Sequence, residues 1–166
     1  VSMTEKTFRI VTLGCKVNQY ESAYLEETFL DRGWRRAARN ASADVVVINT
    51  CVVTSRASYQ SRQAIRKAIR ENPAARVAAT GCYAQVDPGA LAEIPGLAFI
   101  AGNTWKGRLP RVLFEDPEEV RPRILQEPFS SKPRFEELPV RGHPGRTRAF
   151  LKIQDGCRSF CTYCIV

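Results

Sequence analysis

Six cysteines fall into two sets of three, and their spacing limits the chemistry they can do. Cys157, Cys161 and Cys164 stand as C-x3-C-x2-C on one short stretch. Three thiolates so placed can hold three irons of an iron–sulfur cube. The fourth iron is then open to a small molecule bearing amino and carboxylate groups. Half a zinc site and a disulfide pair are the rival readings. Zinc ribbons use C-x2-C pairs, usually two of them, and only Cys161 with Cys164 fits. His143 is the only histidine and stands among prolines, which argues against a Cys/His zinc site. Cys15, Cys51 and Cys82 are 36 and 31 residues apart, so only the fold can bring them together.

Each of these three cysteines follows a stretch that reads as a strand. Phe8 to Leu13 leads to Gly14-Cys15. Asp44 to Asn49 leads to Thr50-Cys51. Ala75 to Thr80 leads to Gly81-Cys82. The Val45-Val46-Val47-Ile48 run is continuous and β-branched, as in a strand buried on both faces of a parallel sheet. Helical segments are expected between them. One spans Glu21 to Arg32, with Leu25 and Phe29 four apart and Gly33 at its stop. Another runs from a cap at Thr54 or Ser55 to about Glu71, ahead of Pro73. Asp87-Pro88 opens a short helix to about Glu93. Leu97 to Ile100 reads as a further strand, and Thr104 to Phe114 as a helix limited by Pro110.

Alternating strands and helices predict an α/β fold, an open and mostly parallel sheet flanked by helices. In such a sheet the strand ends share one edge, where ligand crevices form. Three thiols at one structural offset would meet there. They suit zinc with a fourth ligand, or a [4Fe–4S] cluster with one iron open. Buried core cysteines are the plain alternative.

The chain divides into three parts. Residues 7–114 form the α/β domain. Residues 115–147 carry Pro117, Pro122, Pro128, Pro133, Pro139 and Pro144, and read as an extended linker or an arm lying along a neighbouring domain. Residues 148–166 begin a second domain, with a strand at Arg148–Ile153 before the last three cysteines. The chain stops just after them, which reads as the cut end of a longer protein.

At 166 residues there is no room for a complete (β/α)8 barrel, which needs about 250. Hydrophobic content of 44% and charged content of 25% fit a globular protein and exclude general disorder. No apolar run approaches the ~20 residues of a membrane span, and the polar start has no signal-peptide core. A cytoplasmic location is expected, where disulfides are rare and patterned cysteines point to metal or catalysis. Net charge is +8. It is concentrated up to Phe114, with sixteen Lys and Arg against nine Asp and Glu. Arg62, Arg66 and Arg70 step by four and would line one helix side. That stripe suits a polyanion such as RNA, or it is a solvated face.

The stretch Gly156-Cys157-Arg158-Ser159-Phe160-Cys161-Thr162-Tyr163-Cys164 resembles the cluster loop of radical S-adenosylmethionine enzymes. Thr12-Leu13-Gly14-Cys15-Lys16-Val17-Asn18-Gln19-Tyr20-Glu21-Ser22, Asn49-Thr50-Cys51-Val52-Val53-Thr54 and Thr80-Gly81-Cys82-Tyr83-Ala84-Gln85 resemble the three motifs of the methylthiotransferase family. Gly14-Cys15-Lys16-Val17-Asn18-Gln19 is most similar to the branch acting on N6-threonylcarbamoyladenosine in tRNA.

The resemblance implies two [4Fe–4S] clusters and S-adenosyl-L-methionine. Cys15, Cys51 and Cys82 would hold the auxiliary cluster. Cys157, Cys161 and Cys164 would hold the cluster that reduces S-adenosylmethionine, with Tyr163 beside its adenine. A 5′-deoxyadenosyl radical would remove hydrogen from C2 of adenosine 37 in the tRNA anticodon loop, and a methylthio group would be inserted there. An electron donor such as a flavodoxin is implied, and no membrane. No side chain is singled out as catalytic. The resemblance reaches only the first strand and loop of the barrel, so this length alone is expected to be silent. The rivals are methylthiotransferases acting on isopentenyladenosine or on a ribosomal protein, a cobalamin-binding domain, and a non-enzymatic metal-binding module. The region before residue 115 lacks the histidine that a cobalamin domain needs.

Overall fold

The computed structural model describes residues 6–115, 122–127, 135–142, 148–154, 156–157 and 159–164. Among these residues six strands form one sheet: β1 (Thr7–Thr12), β2 (Arg35–Arg36), β3 (Val45–Thr50), β4 (Arg76–Gly81), β5 (Phe99–Ala101) and β6 (Arg123–Leu125). Their order is β2-β1-β3-β4-β5-β6, and every neighbouring pair is parallel. The helices are α1 (Lys16–Asp31), α2 (Ser55–Glu71), α3 (Cys82–Val86), α4 (Pro88–Ala92) and α5 (Leu109–Glu115), with a 3-10 turn at Asn103–Trp105. The expected open parallel α/β sheet is therefore present.

Both faces of the sheet are covered, which is why all six residues of β3 are buried. Side chains alternate along the strand. Val45 and Val47 join Phe8, Leu25, Phe29, Leu109 and Leu113 beneath α1 and α5. Val46 and Ile48 join Ile65, Ala68 and Leu91 beneath α2 and α4. On the first face Phe29 stacks on Phe8 at 4.7 Å and meets Trp34 and Phe114 edge-on. Trp34 is thus a packing residue. No helix among the described residues is long and apolar enough to cross a membrane.

Several boundaries differ from expectation, each for a local reason. Helix α1 begins at Lys16 and not at Glu21, with Cys15 as its N-cap. Its first turns bury Asn18, Tyr20, Glu21 and Ser22, so the apolar period is absent exactly where the site forms. Cys82 opens a separate short helix, α3, before the expected Asp87-capped one. The expected Thr104–Phe114 helix is split. Pro110 sits in the first turn of α5, where a missing N–H costs nothing. Arg123–Leu125, within the proline-rich stretch, pairs with β5 as the edge strand. The strand expected at Arg148–Ile153 is not formed. A strand needs a paired neighbour, and here Leu151 and Ile153 stand 81% and 80% exposed.

On α2 the Thr54 hydroxyl accepts the Ala57 N–H, as a cap should. Arg66 and Arg70 are exposed, whereas Arg62 turns inward and donates to the Tyr83 hydroxyl at 2.6 Å.

Candidate metal centre

The register lines up Thr12 with Asn49 and Asn49 with Thr80 across three adjacent strands. Cys15, Cys51 and Cys82 lie two or three residues beyond those positions, at the carboxyl edge of the sheet. The chain passes from β1 outward to β2, then returns to lay β3 on the other side of β1. Connections therefore leave β1 and β3 in opposite directions, and a crevice opens between their ends. Cys15 and Cys51 flank it, and Cys82 follows on the next strand.

Two glycines let the three loops touch. Gly14 has φ +94°, and a Cβ there would lie 3.0 Å from Cys51 Sγ. The Cys51 side chain therefore rests directly on the turn that carries Cys15. Gly81 also has φ +94°, and its Cβ would lie 2.4 Å from the Thr50 carbonyl oxygen. The Cys82 turn is thus seated on the backbone that carries Cys51. We expect Gly81→Ala to destabilise the protein by at least about 2 kcal/mol, since a left-handed L-residue alone costs roughly 1–2 kcal/mol. Denaturant unfolding checks this, with Gly142→Ala as the neutral control, because no atom lies within 4 Å of a Cβ there.

All three thiols are free: Cys15 is exposed, Cys82 half-buried and Cys51 buried. Burial pushes the Cys82 thiol above its ordinary range. The Lys106 ammonium pulls it back, while Cys51, Glu21 and Cys15 push it further up. The three sulfurs and two opposite charges therefore share one electrostatic neighbourhood. Among the described residues no group of three His, Cys, Asp or Glu could hold a single metal ion.

The polar residues beside the cysteines hold the loops. Asn18 Nδ2 donates to the carbonyls of Leu13 (2.6 Å) and Thr50 (3.0 Å). Asn49 Nδ2 donates to the Asn18 carbonyl at 2.9 Å. Ser61 Oγ accepts the Cys51 N–H and donates to the Cys51 carbonyl. Gln85 Oε1 accepts the Asn103 N–H. Asn18 and Gln85 are thereby committed to the backbone. Among the described residues Asn49 Oδ1 and Thr80 Oγ1 are buried without a hydrogen-bond partner.

One feature was invisible in the sequence. Glu21 is 2% exposed, Lys106 2%, and the Lys152 side chain 3%. Glu21 Oε2 pairs with Lys106, and Glu21 Oε1 lies 3.1 Å from Lys152 Nζ. A charged residue in a helix normally reads as solvated, so neither spacing nor composition flags this cluster.

The second set is arranged differently. Cys157, Cys161 and Cys164 are exposed, and the Ser159 N–H donates to Cys157 Sγ at 3.5 Å. The Cys164 N–H donates to the Cys161 carbonyl at 3.0 Å, closing a turn over the C-x2-C pair. Phe160 has φ +47°. Tyr163 is 91% exposed.

A donor set of three free thiols on glycine-relieved turns fits a soft cluster: thiolate is its ligand type, and the turns allow close backbone approach. Residues 7–102, which include all three strand-end cysteines, match the model of the uncharacterized protein family UPF0004. The chain belongs to UPF0004. Over 155 residues this UPF0004 chain is 42% identical to the threonylcarbamoyladenosine tRNA methylthiotransferase MtaB of Bacillus subtilis. That match covers 93% of the chain and 34% of the relative. The MtaB of Aquifex aeolicus is 39% identical, with 93% and 38% covered. The tRNA-2-methylthio-N(6)-dimethylallyladenosine synthase of Moorella thermoacetica is 35% identical, with 97% and 37% covered. The UPF0004 chain thus spans little more than a third of the curated relatives it matches.

Proposed function

We propose that this UPF0004 chain is part of a radical S-adenosylmethionine methylthiotransferase that modifies tRNA, and that its preferred target is N6-threonylcarbamoyladenosine 37. The observation that carries the reading is the arrival of Cys15, Cys51 and Cys82 on adjacent strand ends at the sheet's switch point, upstream of a second three-cysteine loop. The names of the relatives supply the reaction class and the substrate class.

In this reading Cys15, Cys51 and Cys82 hold an auxiliary [4Fe–4S] cluster, and Cys157, Cys161 and Cys164 hold the S-adenosylmethionine cluster. Tyr163, 91% exposed, would pack beside the adenine when S-adenosylmethionine is bound. When bound, the clusters supply reductive cleavage of S-adenosylmethionine and the sulfur for insertion; the chemistry is theirs. The chain's own part is geometric and electrostatic. Gly14 and Gly81 admit close backbone approach. Asn18 and Ser61 fix the loops that aim the thiols. Asn49 Oδ1 and Thr80 Oγ1 are buried polar atoms on the strand ends that lead to Cys51 and Cys82. A flavodoxin-type donor and a cytoplasmic setting complete the reading, and the isolated chain is silent.

Anaerobic reconstitution of the full-length protein with iron and sulfide tests it. About eight irons, two four-iron clusters, are expected. Cleavage of S-adenosylmethionine and a 2-methylthio nucleoside from tRNA should accompany them. A stoichiometric zinc ion alone would overturn it. A product carrying the dimethylallyl group in place of threonylcarbamoyl would move the substrate to the sibling branch.

A further inference from the structure

Two stretches after the sheet lie along one stripe of α1. The Leu138 carbonyl accepts the Tyr20 hydroxyl at 2.9 Å, and Leu138 is itself buried. The N–H groups of Arg141 and Gly142 donate to Glu27, and the Arg141 guanidinium reaches Asp31 at 2.5 Å. The chain then returns. The Lys16 ammonium stands 5.7 Å over the Phe150 ring, and Lys152 reaches Glu21. Positions 16, 20, 27 and 31 of α1 share one side at helical spacing.

The return ends in the cluster where Lys152 and Lys106 flank Glu21. Ammonium groups this deeply buried persist only when paired, so the contact cannot be an incidental surface bridge. Glu21 lies six residues past Cys15, about 9 Å along the helix. Lys152 lies five residues before Cys157, so even an extended chain keeps that cysteine within about 18 Å of it. The carboxylate is therefore linked to both thiol sets through short lengths of chain.

We infer that Glu21, Lys106 and Lys152 form a buried ionic latch that docks the approach to the second cysteine loop onto the carboxyl edge of the sheet. Glu21 and Lys152 are thereby positioning residues for the spacing of the two thiol sets. The docking is independent of any cluster; its consequence for catalysis rests on the methylthiotransferase reading.

The test uses the full-length protein with Lys152→Met, which leaves the Glu21–Lys106 pair in place, and Lys152→Arg as the conservative variant. Amide hydrogen exchange of the iron-free protein compares residues 148–154 with β3. Lys152→Met is expected to speed exchange at 148–154 about tenfold, leave β3 unchanged, and be rescued by Lys152→Arg. Unchanged exchange at 148–154 would overturn the latch. So would equal loss of protection in β3, which would make Lys152 a general stabiliser of the sheet. In the reconstituted enzyme the methylthio product formed per S-adenosylmethionine cleaved should fall as much as about 100-fold, since misplacement near 1 Å can cost that much. An unchanged ratio would overturn the positioning role. If the unmodified enzyme makes no methylthio product, the functional reading fails, while the exchange result still decides the latch.

Discussion

A full-length protein in which Cys15, Cys51 and Cys82 are all alanine is expected to bind about four irons in place of about eight, to keep cleaving S-adenosylmethionine, and to make no methylthio nucleoside. The partition follows from the geometry. The three thiols sit on adjacent strand ends. Cys157, Cys161 and Cys164 lie on a separate exposed loop with its own turn, so losing the first set leaves the second intact. Cys51 is buried and Cys82 half-buried, and alanine removes little volume at either, so the sheet should remain folded. Iron analysis, S-adenosylmethionine turnover and nucleoside chromatography on one preparation read all three outcomes. Full iron content, or methylthio product from the triple variant, would remove these cysteines from the chemistry.

The second large effect is on stability. Glu21→Gln is expected to cost about 3–5 kcal/mol, the range found when one partner of a buried ion pair is removed. The amide keeps the shape of the carboxylate but removes the negative charge that faces the Lys106 and Lys152 ammonium groups. Neither can reach water, at 2% and 3% side-chain exposure. In a protein of this size each kcal/mol moves the melting temperature by roughly 2–4 °C, so a drop of about 10 °C is expected. Lys152→Met should cost less, because Glu21 keeps Lys106. Guanidinium unfolding and thermal melts compare the variants. A loss below about 1 kcal/mol in Glu21→Gln would show that the carboxylate does not hold the two lysines.

The strand-end position of the three cysteines was legible because it depends on local pattern. Val45 to Ile48 can only be a doubly buried strand, and a cysteine just past such a run must stand at the sheet's edge. The Thr54 cap and the Asp87-Pro88 helix start were legible for the same reason. The start of α1 was not. Lys16 to Glu21 looks polar and non-periodic because its inward face serves the site and not the apolar core. The strand expected at Arg148–Ile153 shows the converse error. Its residues have strand character, but pairing requires a neighbour that the described residues do not provide.

By itself, then, the sequence determined the parallel α/β class, the two three-cysteine sets and the offset that puts one set on a sheet edge. These rest on backbone periodicity and side-chain type within a few residues. Only the tertiary structure decided that β1 and β3 are neighbours at a switch point, that the cysteine turns rest on one another through Gly14 and Gly81, and that Glu21 is buried between two lysines. Those facts depend on partners far apart in the chain: Lys106 is 85 residues from Glu21, and Lys152 is 131. A carboxylate's environment is set by what packs against it, and no local spacing carries that information.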